Sequence, residues 1–148
     1  MNKRSKKKQI RLKNKKLCKR YPFLIPRNRW TGKIVNNYNY DWTELDCMPK
    51  GWRRAFGKQF MEELRKECVK YNYLDELRIM QIKDKFGGLR FYVGPVPKNS
   101  KIFEIIDKYE NLSYNYCMTC GKEGKLYNDG WMTTLCETHA KKFGYIKE

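Results

Sequence analysis

The sequence predicts an α+β fold in which one antiparallel β-hairpin packs on two helices. Apolar residues recur at helical spacing in two stretches, at about 50–71 and 100–113. Between these stretches, two strand-like runs flank a pair of glycines. Near the C-terminus, three cysteines and the only histidine stand at metal-ligand spacing. These observations predict a basic arm (1–20), an α+β body with an extended aromatic start (21–113) and a finger (114–148).

The N-terminal arm is predicted to be disordered because of its charge. Residues 1–33 contain 14 of the 33 Lys and Arg residues and no carboxylate, since the first acidic residue is Asp41. Like charges at this density repel one another and favour a disordered segment or a fraying helix. Residues 34–148 are nearly balanced, with 19 basic and 16 acidic residues. A basic arm on such a body favours a polyanionic partner, and nucleic acid is the commonest one.

The candidate nucleic-acid contacts fall into two groups. Three residues of the aromatic segment 21–42 are second-line candidates, because cations pair with phosphates and rings stack on bases: Arg27, Arg29 and Trp30. The leading candidates are basic residues of the arm: Lys6, Lys7, Lys8, Arg11, Lys13, Lys15 and Lys16. Two alternatives stay open, namely that the arm serves solubility and that the rings anchor an irregular segment on the core. A short strand is predicted near 40–45.

The first helix of the body is predicted over about 50–71. Pro49 stands where a first-turn proline belongs. Large apolar residues then recur at every fourth position: Trp52, Phe56, Phe60 and Leu64. Val69 and Tyr71 are predicted to continue near this face, and Cys68 at its border is predicted to be a buried thiol. The charged residues between them, such as Arg54, are interpreted as an ordinary exposed helix surface.

The hairpin and the second helix follow. Residues 78–86 and 89–93 are predicted strands, and Gly87-Gly88 is the predicted turn because primed turns need positive φ angles. Either Asn99 or Ser100 is predicted to cap the second helix.

The strongest motif is C-x2-C-x15-C-x2-H, formed by Cys117, Cys120, Cys136 and His139. Gly121 permits the tight turn of a knuckle, and Asn128-Asp129-Gly130 predicts a short hairpin before a helix that starts near the third cysteine. Knuckle, hairpin and helix in this order indicate a treble-clef-like zinc finger. Three thiolates and one imidazole fill all four tetrahedral positions, so we predict one structural zinc.

Other uses of these cysteines are less favoured by the sequence. Six cysteines can form disulfides, and Cys117 with Cys120 can form a redox pair. The chain has neither a secretory signal nor an apolar run that spans a bilayer, which favours a reducing cytoplasm and metal-bound thiolates. Iron is the main chemical competitor of zinc in a sulfur-rich site.

Three strings resemble small uncharacterised proteins of bacteriophages and prophages: residues 21–30, residues 81–92, and the C-terminal cysteine pattern with Gly130-Trp131-Met132 and Leu135 between its halves. The resemblance covers most of residues 17–140 and leaves out the lysine arm. It implies a phage-type context, a bacterial cytoplasm and a metal finger, but it implies no activity.

The sequence therefore predicts a non-enzymatic, zinc-stabilised nucleic-acid-binding protein with no membrane span and no small-molecule substrate. The alternative is a protein-interaction module that binds a host or phage protein through the aromatic segment 21–42. An enzyme is the third hypothesis, because no catalytic motif is present and the only histidine is assigned to metal. Magnesium-dependent nuclease chemistry would need carboxylates such as Asp41, Glu44 and Asp46 to converge in one cleft.

Overall fold

A computed structural model describes residues 2–147 and has the α+β composition that the sequence predicts. The described chain contains helices α1 (Lys3–Arg20), α2 (Lys58–Lys70), α3 (Ile102–Ser113) and α4 (Glu137–Lys142). Strands β1 (Ile79–Lys85) and β2 (Gly88–Val93) form one antiparallel hairpin, and strands β3 (Lys125–Asp129) and β4 (Trp131–Leu135) form another. A single turn (Lys50–Trp52) and a π-helical segment (Arg53–Gly57) lead directly into α2, and we call 50–70 the central helical run.

The predicted disorder of the basic arm is wrong, because residues 3–20 form helix α1. The side chain of Asn2 caps its first turn by accepting a hydrogen bond from the Ser5 N–H. Basic residues in its last turn face the negative end of the helix dipole. The C-terminal half of α1 is docked on the body, where Cys18 is buried. Tertiary contacts thus offset the repulsion between its lysines.

Two ion pairs and one amide hydrogen bond hold α1 in place. Arg11 Nε lies 2.7 Å from Asp41 Oδ1 and the Asn14 amide donates to the Tyr40 carbonyl at 2.8 Å. Arg20 donates two hydrogen bonds, of 2.5 and 2.9 Å, to the two carboxylate oxygens of Glu62. The hydrogen bonds from Arg20 and then from the Tyr21 hydroxyl lower the pKa of Glu62 to about 2.

The aromatic segment divides into a buried part and an exposed part. Tyr21 and Phe23 are buried in the core, as anchoring rings would be, whereas Trp30 is 94% exposed. The strand predicted near 40–45 is wrong, since a 3-10 turn (Glu44–Cys47) occupies that place.

The central helical run confirms the predicted helix and most of its buried face. The side chains of Trp52, Phe60, Leu64 and Cys68 are fully buried, and that of Phe56 is nearly so. A strict spacing of four residues is wider than the 3.6-residue turn of an α-helix, and the π-helical segment accommodates this spacing at the start of the run. The prediction for Val69 is wrong: it is 52% exposed, one residue beyond the stripe that ends at Cys68.

The first hairpin is confirmed, but its turn lies one residue earlier than predicted. Lys85 pairs with Gly88, so the two-residue turn is Phe86-Gly87, with φ angles of 54° and 81°. Gly88 belongs to β2, and it is needed for a different reason. A Cβ on Gly88 would lie 2.3 Å from the ring of Tyr114.

The core joins this hairpin to α2 and α3, as predicted. The ring of Phe60 stacks on Tyr109 with centroids 4.5 Å apart, and it meets Phe91 of β2 at 4.8 Å. The predicted cap of α3 is wrong, because the N-cap position is Lys101. Its N–H donates to Glu67 of α2 at 3.0 Å, so a tertiary contact replaces the local cap. Within residues 2–147, no helix combines the length and apolarity needed to cross a bilayer.

Candidate metal centre

The four predicted ligands come together in one cluster. One ligand atom from each of Cys117, Cys120, Cys136 and His139 lies within 4.8 Å of the others. The Cys120 and Cys136 sulfurs are 3.7 Å apart, and His139 Nδ1 lies 3.6 Å from the Cys117 sulfur and 3.2 Å from that of Cys136. A tetrahedral zinc, about 2.3 Å from sulfur and about 2.0 Å from nitrogen, places its ligands about 3.4–3.8 Å apart. The cluster therefore fits one zinc ion.

The first two ligands lie on a tight turn whose backbone faces the sulfurs. Gly121 has a φ of 83°, and its N–H donates to the Cys117 carbonyl at 2.9 Å. Burial raises the pKa of the Cys117 thiol, but hydrogen bonds from the N–H groups of Cys136, Cys120 and Thr119 outweigh this effect and lower the pKa below its ordinary value. Such a site favours the thiolate, which is the form that binds metal.

The other two ligands are positioned by the second hairpin and α4. Asp129 pairs with Trp131 across Gly130, which has a φ of 82°, so β4 runs straight into Cys136. Cys136 is the N-cap residue of α4, and His139 follows one turn later on the same face. The knuckle, hairpin and helix start predicted from the sequence are all present in this order.

The donor set determines what such a centre can do. Three sulfurs and one imidazole nitrogen leave no position for a reacting water, and Cys117 is fully buried. A closed site of this kind stabilises a fold and does not bind substrate. No protein family, curated protein or solved structure matches this chain.

The metal centre is built into the body through the first turn of the central helical run. The Gly51 N–H donates to the Met118 carbonyl at 2.7 Å, and Trp52 Nε1 donates to the Tyr116 carbonyl at 2.9 Å. On the other side, the Thr134 hydroxyl donates to the Gly87 carbonyl at 2.6 Å in a buried contact. The finger is therefore held by the central helical run on one side and by the first hairpin on the other.

Replacing Gly51 by alanine will destabilise this junction. An alanine Cβ there would lie 2.0 Å from the Cys117 carbonyl oxygen, and backbone cannot move aside easily. We expect Gly51→Ala to lower the free energy of unfolding by at least about 2–3 kcal/mol, measured by urea denaturation.

Gly57→Ala is the matched control. Gly57 is helical with a φ of −55°, and an added Cβ would meet only the Arg53 side chain, at 3.5 Å. Alanine there should leave stability unchanged or raise it by about 0.5–1 kcal/mol. Equal effects of the two substitutions would contradict the close approach of the knuckle to Gly51.

The predicted nucleic-acid contacts of α1 differ in how freely they are exposed in the structure. Lys6, Lys7 and Lys8 are exposed on its N-terminal half. Arg11 is engaged with Asp41, and the Lys15 ammonium lies 5.7 Å from the centre of the Tyr40 ring. Lys13 and Lys16 face the central helical run instead.

The second-line candidates lie on one ordered loop. The Asn28 side chain accepts hydrogen bonds from the N–H groups of Trp30 and Thr31, at 2.8 and 2.9 Å. Arg27 Nη1 donates to the Gly32 carbonyl at 3.1 Å, so Arg27 is partly occupied within the loop. Arg29 and Trp30 are exposed, and the loop therefore presents an indole ring beside a guanidinium group.

Sequence reasoning missed a groove between α1 and the central helical run. Its volume is about 620 Å³. Its lining combines seven basic residues with an apolar floor and no carboxylate: Lys13, Lys16, Leu17, Arg20, Tyr21, Leu45, Lys50, Arg53, Arg54, Gly57, Lys58 and Met61. The basic residues of the central run were interpreted as ordinary surface, and only the docking of α1 gives them an opposite wall.

The carboxylates that magnesium-dependent nuclease chemistry would need lie in ion pairs and turns instead. Asp41 binds Arg11, and Asp46 binds Arg53 at 2.8 Å and accepts from the Thr43 N–H. Burial raises the pKa of Glu44, against the opposing charge of Arg29. Within residues 2–147, Asp41, Glu44 and Asp46 do not form a metal-binding cluster.

Proposed function

We propose that this protein binds nucleic acid electrostatically through helix α1 and that one structural zinc stabilises the fold that carries this helix. The observation that carries the proposal is that α1 is an ordered helix with eleven Lys and Arg residues and no carboxylate. An ordered helix holds these charges at fixed spacing, so a polyanion can meet several of them without first ordering the chain.

Most of this charge is unpaired, which supports an external partner. Within residues 2–147, only Arg11 and Arg20 of α1 form ion pairs. The remaining lysines and Arg4 raise the local potential and attract counterions. A polyanion that displaces those counterions gains free energy from their release.

The metal supports this role by stabilising the fold. We propose zinc rather than iron, held by Cys117, Cys120, Cys136 and His139 in a treble-clef-like finger. When bound, the ion would cross-link the knuckle to α4 and supply folding free energy without taking part in a reaction. A bacterial cytoplasm, as implied by the phage-type resemblance, would keep these thiols reduced and available to zinc.

A second candidate function, binding to a host or phage protein, is favoured by the exposed Trp30. Tryptophan is enriched among residues that dominate protein interfaces. A complex held by that ring would persist at high salt, since apolar burial is little weakened by screening. The salt dependence of binding therefore separates the two candidates.

Affinity for a labelled single-stranded oligonucleotide should fall steeply with salt. Each phosphate neutralised contributes about −0.7 to the slope of log K against log salt. Replacing three exposed lysines at the free end of α1, Lys6→Gln, Lys7→Gln and Lys8→Gln, should make this slope shallower by up to about 2, as measured by fluorescence anisotropy.

The control removes the same charge elsewhere: Lys66→Gln, Lys98→Gln and Lys147→Gln, all exposed and outside α1. This variant should keep the wild-type slope. A flat salt dependence of the wild-type protein, or an equal change in both triple variants, would overturn the proposed function.

A further inference from the structure

We propose that the groove between α1 and the central helical run is a binding site for single-stranded nucleic acid. This inference rests on the proposed function and names the part of the surface where the strand lies. One wall comes from α1, the other comes from the central run, and the floor is apolar. The groove thus has the two chemistries that a single strand needs, cations for its phosphates and an apolar surface for its sugars and bases.

The walls carry an excess of unpaired positive charge. Arg20 is paired with Glu62 and Arg53 with Asp46, so these two positions are already neutralised. Within residues 2–147, none of the other five basic lining residues forms an ion pair: Lys13, Lys16, Lys50, Arg54 and Lys58. Five such cations around one groove repel each other, and a bound chain of phosphates would relieve that repulsion.

The size and the charge density of the groove favour one class of polyanion as its ligand. A volume of about 620 Å³ is that of a small-molecule site, so the groove itself holds a short stretch of a single strand. A single strand carries a charge on every nucleotide, which matches cations on two facing walls. An acidic peptide also carries negative charge, but only at some of its residues, so it matches this density less well.

An irregular backbone shapes the second wall. The π-helical segment Arg53–Gly57 contributes Arg53, Arg54 and Gly57 to the lining. Single π turns within α-helices are frequent at functional sites. Gly57 has no side chain to fill the space between the walls, and an added Cβ would meet only the Arg53 side chain. This glycine keeps the groove open.

The groove continues onto the free half of α1. Lys6, Lys13 and Arg20 are seven residues apart, which is close to two helical turns, so they lie on one side of α1. A strand leaving the groove past Lys13 would next meet Lys6. The groove and the exposed lysines of α1 thereby form one basic track.

The test uses the whole zinc-loaded protein and two pairs of charge-matched variants. Lys16→Gln with Lys58→Gln removes one cation from each wall. Lys66→Gln with Lys98→Gln removes two exposed cations that lie outside both α1 and the groove. With oligothymidylate of about 12 nucleotides, the wall pair should lose affinity about tenfold or more and the control pair less than about twofold.

A third variant blocks the groove and removes no charge. Gly57→Leu should weaken oligothymidylate binding about as much as the wall pair does, and circular dichroism and thermal melting check its fold. If this variant is unfolded, the two charge pairs decide the question alone.

The outcomes separate the groove from the proposed function. No binding of oligothymidylate by the wild-type protein overturns both. Binding that falls equally in the two charge pairs leaves the proposed function standing and overturns the groove. Tighter binding of a duplex, or of polyglutamate, than of oligothymidylate also overturns the groove as a single-strand site.

Discussion

Removal of the metal is expected to unfold the C-terminal finger and to lower the melting temperature of the whole protein. The hydrophobic cluster around the ligands is small, because its buried members are only Leu135 and Ala140 with two of the cysteines themselves, and the residues packed against it are only partly buried. Structural zinc contributes about 10–16 kcal/mol of apparent free energy in isolated finger peptides. A cluster of this size cannot replace that contribution. Dialysis against a chelator, followed by thermal melting and a zinc assay, measures the effect.

Two cysteine variants provide the comparison. Cys136→Ser removes one ligand and should reproduce the loss of stability with metal present. Cys47→Ser removes an exposed cysteine outside the cluster and should melt like the wild-type protein. A metal-free protein that melts at the wild-type temperature would show that the cluster does not stabilise the fold.

The sequence predicted the parts of the fold that depend on local spacing. The four ligands are recognisable because the geometry of a knuckle and of a helix start sets the intervals within each half of the motif. The central helical run is recognisable because three large rings and one leucine recur on one face. Even the π-helical segment left a signal in the strict spacing of four between Trp52 and Phe60, although that signal was interpreted as an ordinary helix.

The sequence could not show contacts between distant segments. Helix α1 is ordered by Asp41 and Glu62, which lie 30 and 42 positions away from their arginine partners. The turn of the first hairpin was misplaced by one residue because Gly88 is required by Tyr114, not by the turn. The groove needs cations from two helices, and neither helix alone differs from an ordinary basic surface.

Trp52→Ala is the core substitution expected to cost the most stability. Trp52 is fully buried, and its indole lies between the core of the body and the chain that enters the metal centre. Truncation of a buried tryptophan costs about 3–5 kcal/mol through lost apolar contact and the cavity left behind. Loss of the Nε1 donor also leaves the Tyr116 carbonyl without this partner, at a cost of about 1–3 kcal/mol if water does not reach it.

Trp52→Phe separates these two contributions. Phenylalanine retains most of the ring but cannot donate to the Tyr116 carbonyl, so it should lose about 1–3 kcal/mol in urea denaturation. If the hydrogen bond couples the body to the finger, Trp52→Phe should also weaken zinc retention in a competition with a chelator.

The matched substitution Phe56→Leu alters a buried ring of the same helical face without touching this bond, and it should destabilise the body without changing zinc retention. Equal zinc retention in both variants would mean that Trp52 acts only as a core residue. Weaker retention in Trp52→Phe alone would mean that the central helical run and the metal centre fold as one unit, since a single indole N–H then affects both.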